Sequence, residues 1–193
     1  MKSTDFVETA LSVAKDYKSS YIWGGFGAPI TEATLARAAN AYSKNTERGW
    51  IAAARKYVGD PRAFYFDCVG LIKAILWGWN GDSSKSYGGA IYPTTAQVLA
   101  GACPDLSADG MIKICSEVST DFSRIVPASA VWMSGHIGIY VGDGLAVECT
   151  PSWKKWRTDY SGIQHRQKIR DITPGNGQSG GKSPMLPMRR RST

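Results

Sequence analysis

Cys68 is the side chain in this sequence best placed to act as a nucleophile. Leu71, Ile72, Ile75, Leu76 and Trp79 repeat at three- and four-residue spacing, which predicts an amphipathic helix over 67–79 with Cys68 in its first turn. The unpaired N–H groups of a first helical turn carry partial positive charge and stabilise a thiolate, the form of cysteine that attacks carbonyl carbon. Asp67, immediately before, is a residue type that caps such a helix. Gly70, two positions on, has no side chain and lets another element or a substrate come close. On its own, a free cysteine at such a position also fits a small buried apolar residue.

A catalytic thiol needs a base, and the sequence has two histidines, His136 and His165. His136 opens the most strand-like run in the chain, His136-Ile137-Gly138-Ile139-Tyr140-Val141, and a second run, Leu145 to Thr150, follows three residues later. If Gly142-Asp143-Gly144 forms a three-residue hairpin loop, Val141 pairs with Leu145 and Glu148 lies opposite Gly138. Glu148 is then the diagonal neighbour of His136 on one face, roughly 7 Å away along the backbone and within side-chain reach. A two-residue Asp143-Gly144 turn pairs Ile139 with Glu148 instead and sends the carboxylate to the opposite face. In the first register the three groups suit acyl transfer. Cys68 attacks, His136 takes and returns the proton, Glu148 fixes the imidazole, and the Cys68 N–H donates to the developing oxyanion. His165 is the reserve base, with no predicted strand or turn to bring it near Cys68.

The elements that would hold these groups follow from periodicity. Phe6, Ala10, Val13, Ala14 and Tyr17 predict a helix over about 4–18, with Ser3 or Thr4 as its cap. Tyr21 to Gly27 is too glycine-rich for a helix interior and reads as a loop or short edge segment. Two alanine-rich helices are expected at 31–42 and 46–58, making an insertion-like block over about 28–63. Thr94 or Thr95 caps a short helix ending at Ala102, while 110–123 has no clear period. Val131 to Met133, 136–141 and 145–150 are expected strands. Residues 172–193, rich in Gly, Ser and Pro, are expected to be a flexible basic tail. The predicted fold class is α+β, with the nucleophile on a central helix packed against an antiparallel sheet, in one domain over 1–171.

The blocks Asp67-Cys68-Val69-Gly70-Leu71, His136 to Gly142 and Glu148 resemble the NlpC-type cell-wall cysteine peptidases, papain-like enzymes that hydrolyse peptide bonds in peptidoglycan stems. Tyr21-Ile22-Trp23-Gly24-Gly25 is similar to the family's Tyr-x-Tyr/Trp-Gly-Gly segment, and the blocks occur in the family's order over most of residues 4–151. The resemblance implies a papain-like fold, Cys68, His136 and Glu148 as catalytic residues, and Tyr21, Trp23, Asp67, Val69 and Gly135 at the substrate. It implies no metal or organic cofactor. Three features depart from the pattern. Val69 stands where serine is common, about forty residues separate the tyrosine block from Cys68, and the usual Pro-Gly-Asp before the histidine strand reads Pro127-Ala128-Ser129-Ala130. Glutamate as third residue resembles the related CHAP amidases. The Trp before Gly-His resembles variants encoded by phages and prophages.

Composition is compatible with this. The 193 residues, 43% of them apolar, suffice for one well-buried core, and no run approaches a membrane span. Met1 leads into a polar stretch, so no export signal is expected; the chain would be made in the cytoplasm and act at the wall after release through another protein's pore. Charges balance over 1–150, and the net +7 comes from Lys154, Lys155, Arg157, Arg166, Lys168, Arg170, Lys182 and Arg189 to Arg191. That basic end could meet a polyanion or simply aid solubility. The expected partners are peptidoglycan and, at the basic end, an anionic wall polymer, with no nucleic acid and no membrane span. Seven tryptophans are many for this length, and Trp153 or Trp156 could stack on sugar rings. Cys103 and Cys115 are expected as free thiols, and Cys149 as a core residue pointing away from Glu148. The expected activity is an endopeptidase working through a thioester. An amidase or acyltransferase with the same triad, or a non-catalytic wall-binding module, remain the alternatives.

Overall fold

A computed structural model describes residues 1–151 and, beyond them, two strands at 162–168 and 183–184. The first helix, α1, spans Ser3–Asp16 and buries Phe6, Ala10, Val13 and Ala14, the face that the periodicity marks. Its cap is Lys2 and not Ser3 or Thr4. The Asp5 carboxylate reaches back to accept the Lys2 N–H at 3.2 Å, which satisfies the first turn one residue earlier than expected.

A small sheet follows that the sequence does not announce. β1 (Lys18–Tyr21) pairs in parallel with β3 (Ala63–Phe66), and β2 (Phe26–Pro29) pairs antiparallel on the other edge of β3. All four residues of β3 are buried. Such a strand has no alternation to detect. Between β2 and β3 lie α2 (Glu32–Ala41), capped by Thr31, then α3 (Lys44–Glu47) and α4 (Trp50–Arg55). The single helix expected over 46–58 is therefore broken, at Gly49 with φ 74°. Ile22, Ile30, Leu35, Ile51, Ala54 and Tyr65 form a second apolar cluster beneath this block.

The central helix α5 runs Cys68–Leu76 with Asp67 as its N-cap, and every residue from Cys68 to Ile75 is buried. α6 (Thr95–Leu99) has the expected Thr94 cap, and α7 (Ala108–Met111) ends just inside the stretch without visible period. A five-stranded antiparallel sheet then forms in the order β7-β6-β5-β4-β8. Its members are β4 (Ala130–Met133), β5 (His136–Gly142), β6 (Leu145–Thr150), β7 (Gly162–Lys168) and β8 (Ser183–Pro184). Ile137, Ile139, Val147 and Cys149 join α1 and α5 in the main core.

The architecture is α+β, as expected. Beyond the small sheet and α7, β7 and β8 also lie where no element was expected. β7 sets His165 opposite Val147, so a strand does bring that residue beside the hairpin. β8 pairs Ser183 and Pro184 with Trp132 and Val131, inside the stretch read as a free tail. The rest of 172–193, Trp153, Trp156 and the basic side chains after Thr150 lie outside the described residues. Among the described residues, no helix is long and apolar enough to cross a membrane.

Candidate active site

Asp67 is the joint on which the nucleophile's position depends. Its Oδ1 accepts the Gly70 N–H at 2.5 Å, capping α5, and its Oδ2 accepts the Gly24 N–H at 2.8 Å. The Asp67 N–H in turn donates to the Gly25 carbonyl at 2.8 Å. A turn in the Tyr21–Gly25 segment is thereby clamped to the start of the helix. Gly24, at φ 80°, closes that turn, in which the Gly25 N–H donates to Ile22 O at 3.0 Å. A Cβ on Gly70 would stand 1.8 Å from the Gly25 oxygen, so the close approach that Gly70 permits is made by this backbone. Burial lifts the Asp67 carboxyl above its usual range against the pull of the two amides. With both oxygens engaged and the residue 9% exposed, Asp67 holds the site together and does not present a free group to a substrate.

Cys68 follows at the first helical position, 7% exposed. Its N–H belongs to the first-turn amides that have no intrahelical acceptor, which suits a donor to an oxyanion. The imidazole of His136 is close enough to the Cys68 side chain for the two to interact. The same ring meets Glu148 through Nε2, 3.1 Å from Oε2. Burial pulls the His136 pKa down, but the interactions with Cys68 and Glu148 outweigh it and raise it to about 9. The shift favours the protonated ring, the form that can donate to the Glu148 carboxylate. His136 and Glu148 side chains are 17% and 7% exposed, and such a pair holds its geometry because separating it would leave a buried charge unpaired.

The hairpin reaches this register by a route the sequence reading did not foresee. Gly142, not Val141, pairs with Leu145, and Asp143 and Gly144 (φ 52° and 71°) make a two-residue turn. Taken alone, that turn would send Glu148 to the wrong face. Val141 is an extra residue, a β-bulge between Tyr140 and Gly142, and it restores the pairs Tyr140–Ala146 and Ile139–Val147. Glu148 then lies over Gly138, where a Cβ would stand 2.6 Å from Glu148 Cγ. Cys149 points the other way, into the core, and its thiol donates to Phe66 O at 3.3 Å.

The remaining residues expected at a substrate are placed as follows. Tyr21 ends β1, 4% exposed, with its ring edge-on to Trp50 at 4.8 Å. Burial first, and then the neighbouring charges of Cys68 and Asp67, push its phenol well above its ordinary pKa, so it stays protonated. Trp23 is 42% exposed, and its backbone is pinned by buried Asn45, which accepts its N–H at 2.9 Å and donates to its carbonyl at 3.2 Å. Lys44 Nζ lies 4.4 Å from the Trp23 ring centroid. Val69 is 6% exposed and belongs to the core, so it forms no open subsite wall. Gly135, at φ 75°, sits in the exposed turn before His136.

Two further features bear on the site, of which the first has no counterpart in the sequence. Asp109, on α7, accepts the Gly135 N–H at 2.8 Å and the Trp132 indole N–H at 3.0 Å on one oxygen. Ala128 adopts φ 73° in a turn whose Ser129 N–H donates to Val126 O at 3.0 Å, with Pro127 preceding it. That is the position where the Pro-Gly-Asp pattern has glycine, the residue such a φ favours. Cys103 and Cys115 are free thiols, each raised to about 11 by burial. Among the described residues, no three His, Cys, Asp or Glu side chains come together as a metal site needs. Comparisons of the chain with family models, with curated proteins and with solved structures find no match.

Proposed function

We propose that this chain is a papain-like cysteine peptidase of the NlpC kind, hydrolysing an amide bond in a peptidoglycan stem peptide through a thioester. One arrangement carries the reading: His136 hydrogen-bonded to Glu148 and interacting with Cys68, whose sulfur stands at the N-terminus of α5. Supporting it are the clamp that docks the tyrosine–glycine segment on that helix, and Ala128 taking the positive φ that the family's glycine would take.

The reaction follows from these groups. The Cys68 thiolate attacks the carbonyl carbon while the Cys68 N–H donates to the oxyanion, a donor worth about a hundred- to a thousandfold in rate. His136, an imidazolium held by Glu148, gives its proton to the departing amine as the C–N bond breaks. A thioester remains. Neutral His136 then takes a proton from water, whose oxygen attacks the thioester, and sulfur leaves as thiolate with the imidazolium restored. Exposed Trp23 beside the clamp offers a surface to the substrate chain. The chain would work at the bacterial wall as phage lysins do, released with the help of another protein, and its basic end would hold it to anionic wall polymer.

The test is digestion of purified cell walls by the wild-type chain and by Cys68→Ala, with mass spectrometry of the released fragments. New peptide termini that vanish in Cys68→Ala are expected. Undiminished lysis by Cys68→Ala would overturn the proposal.

A further inference from the structure

Outside the three reacting groups, one acidic side chain touches the backbone that presents His136. His136 is the first residue of β5, and its position is inherited from the two-residue Ser134-Gly135 turn joining it to β4, whose last residue, Met133, is its cross-strand partner. A turn of this kind is exposed, and Ser134 and Gly135 have little to pack against. A displacement of the turn moves the imbedded end of the strand and the ring with it. What fixes the turn is Asp109: one carboxylate oxygen takes the Gly135 amide at 2.8 Å and the Trp132 indole at 3.0 Å, bracketing the turn from both sides.

Asp109 is itself firmly seated. Its helix, α7, is capped by Ser107, whose hydroxyl accepts the Gly110 N–H at 3.1 Å, and buries Ala108 and Met111 on either side of Asp109. Met111 is completely buried in the main core that also holds Ile137 and Ile139 of β5. The helix therefore ties the turn to the strand's own packing face. We propose that Asp109 is a positioning residue for His136, acting through the turn and leaving the chemistry to the imidazole. This rests on the cysteine-peptidase reading for its consequence in rate, but not for its consequence in structure.

Two acceptor-based expectations separate positioning from charge. An amide oxygen accepts both hydrogen bonds as a carboxylate oxygen does, so Asp109→Asn keeps the bracket and loses the charge. Asp109→Ala loses both. A misplacement of about 1 Å in a catalytic group costs up to about a hundredfold in rate. The experiment uses the full chain with each variant and with Trp132→Phe, which deletes only the indole donor. It reads kcat and KM on a wall-derived peptide, the pH profile, and the NMR signals of the Gly135 amide and the His136 ring.

The expected result is a kcat loss of about ten- to a hundredfold in Asp109→Ala with KM little changed. Asp109→Asn restores kcat to within about threefold and leaves the alkaline limb of the pH profile in place. The Gly135 amide and His136 ring signals move in Asp109→Ala and return in Asp109→Asn. Trp132→Phe keeps the Gly135 signal. The proposal is overturned if Asp109→Ala leaves the Gly135 and His136 signals where they were, or if Asp109→Asn is as impaired as Asp109→Ala. Should Asp109→Ala not fold, Asp109→Asn decides alone: Gly135 and His136 signals and a kcat kept near wild type support the bracket, and displaced signals or a kcat lost by about tenfold or more overturn it. Because the NMR arm needs no turnover, a wild-type chain inactive on walls would sink the peptidase reading and leave this one standing or falling on its own.

Discussion

His136 Nε2 lies 3.1 Å from Glu148 Oε2 across the β5–β6 hairpin, with Gly138 leaving the space beside them empty of side chain. The carboxylate does more than aim the ring. Burial alone would lower the imidazole pKa, and Glu148, together with Cys68, brings it to about 9.

Replacing Glu148 with Gln removes that charge while keeping the shape. The His136 pKa then falls, because the burial that disfavours the imidazolium is no longer opposed by a carboxylate. The proposed mechanism needs a protonated ring to give its proton to the leaving amine, so under that proposal activity is lost on the alkaline side as His136 loses its proton. The alkaline limb of kcat/KM, near pH 9 in the wild type, should move to lower pH in Glu148→Gln. The rate at the optimum should fall by about tenfold or more, part of what a well-placed acid–base group supplies. A rate profile and an NMR titration of the ring check both; an unmoved limb would refute the role of Glu148.

Gly138→Ala tests the empty space itself. The new Cβ would stand 2.6 Å from Glu148 Cγ and 3.2 Å from Val147 O. Cγ is near the root of the glutamate, so the whole carboxylate must move away from the ring. Stability should fall by about 1–3 kcal/mol, the usual cost of overpacking. Activity should fall further than that strain implies, since the imidazole loses its partner. Urea melts paired with rates on a wall-derived peptide separate the two effects, and a variant with wild-type rate would count against the arrangement.

How far the sequence could be read depends on whether the signal was local. The helix behind Cys68 was legible because Leu71, Ile72 and Ile75 mark one buried side. The pairing of His136 with Glu148 was legible because strand alternation constrains it to two registers. Which register holds was not settled by turn length: the turn has two residues, and the bulge at Val141 supplies the compensating shift. β1 to β3 escaped notice because they are four residues each, and β3 is buried throughout, so period two never shows. Asp109 escaped for a different reason. Its partners are 23 and 26 residues away, and nothing near Ala108–Met111 hints at a turn so distant. Ser3 and Thr4 looked like caps because of their type, but the choice between neighbouring caps is made by Asp5 reaching Lys2.

Gly70→Ala addresses the clamp beneath the nucleophile. In a helix interior, glycine is ordinarily the weaker choice, and alanine would gain about 1 kcal/mol in propensity. Here the sign reverses. The added methyl would stand 1.8 Å from the Gly25 carbonyl oxygen and 2.8 Å from Asp67 Oδ1, and the Gly25 oxygen is backbone already bound by the Asp67 N–H. Neither atom can yield without parting the turn from α5. The variant should lose about 2–3 kcal/mol or more of stability, overpacking exceeding the propensity gain. It should also separate the Tyr21–Gly25 segment from Cys68. Asp67→Asn provides the contrast, since an amide oxygen can still cap α5 while the amide nitrogen faces the Gly24 N–H and cannot accept it. It should keep most of the helix's stability but release the turn, so that Tyr21 and Trp23 become more exposed to quenchers of their fluorescence. Chemical denaturation of both variants and acrylamide quenching measure this, and a Gly70→Ala chain as stable as wild type would show that the turn does not dock on the helix.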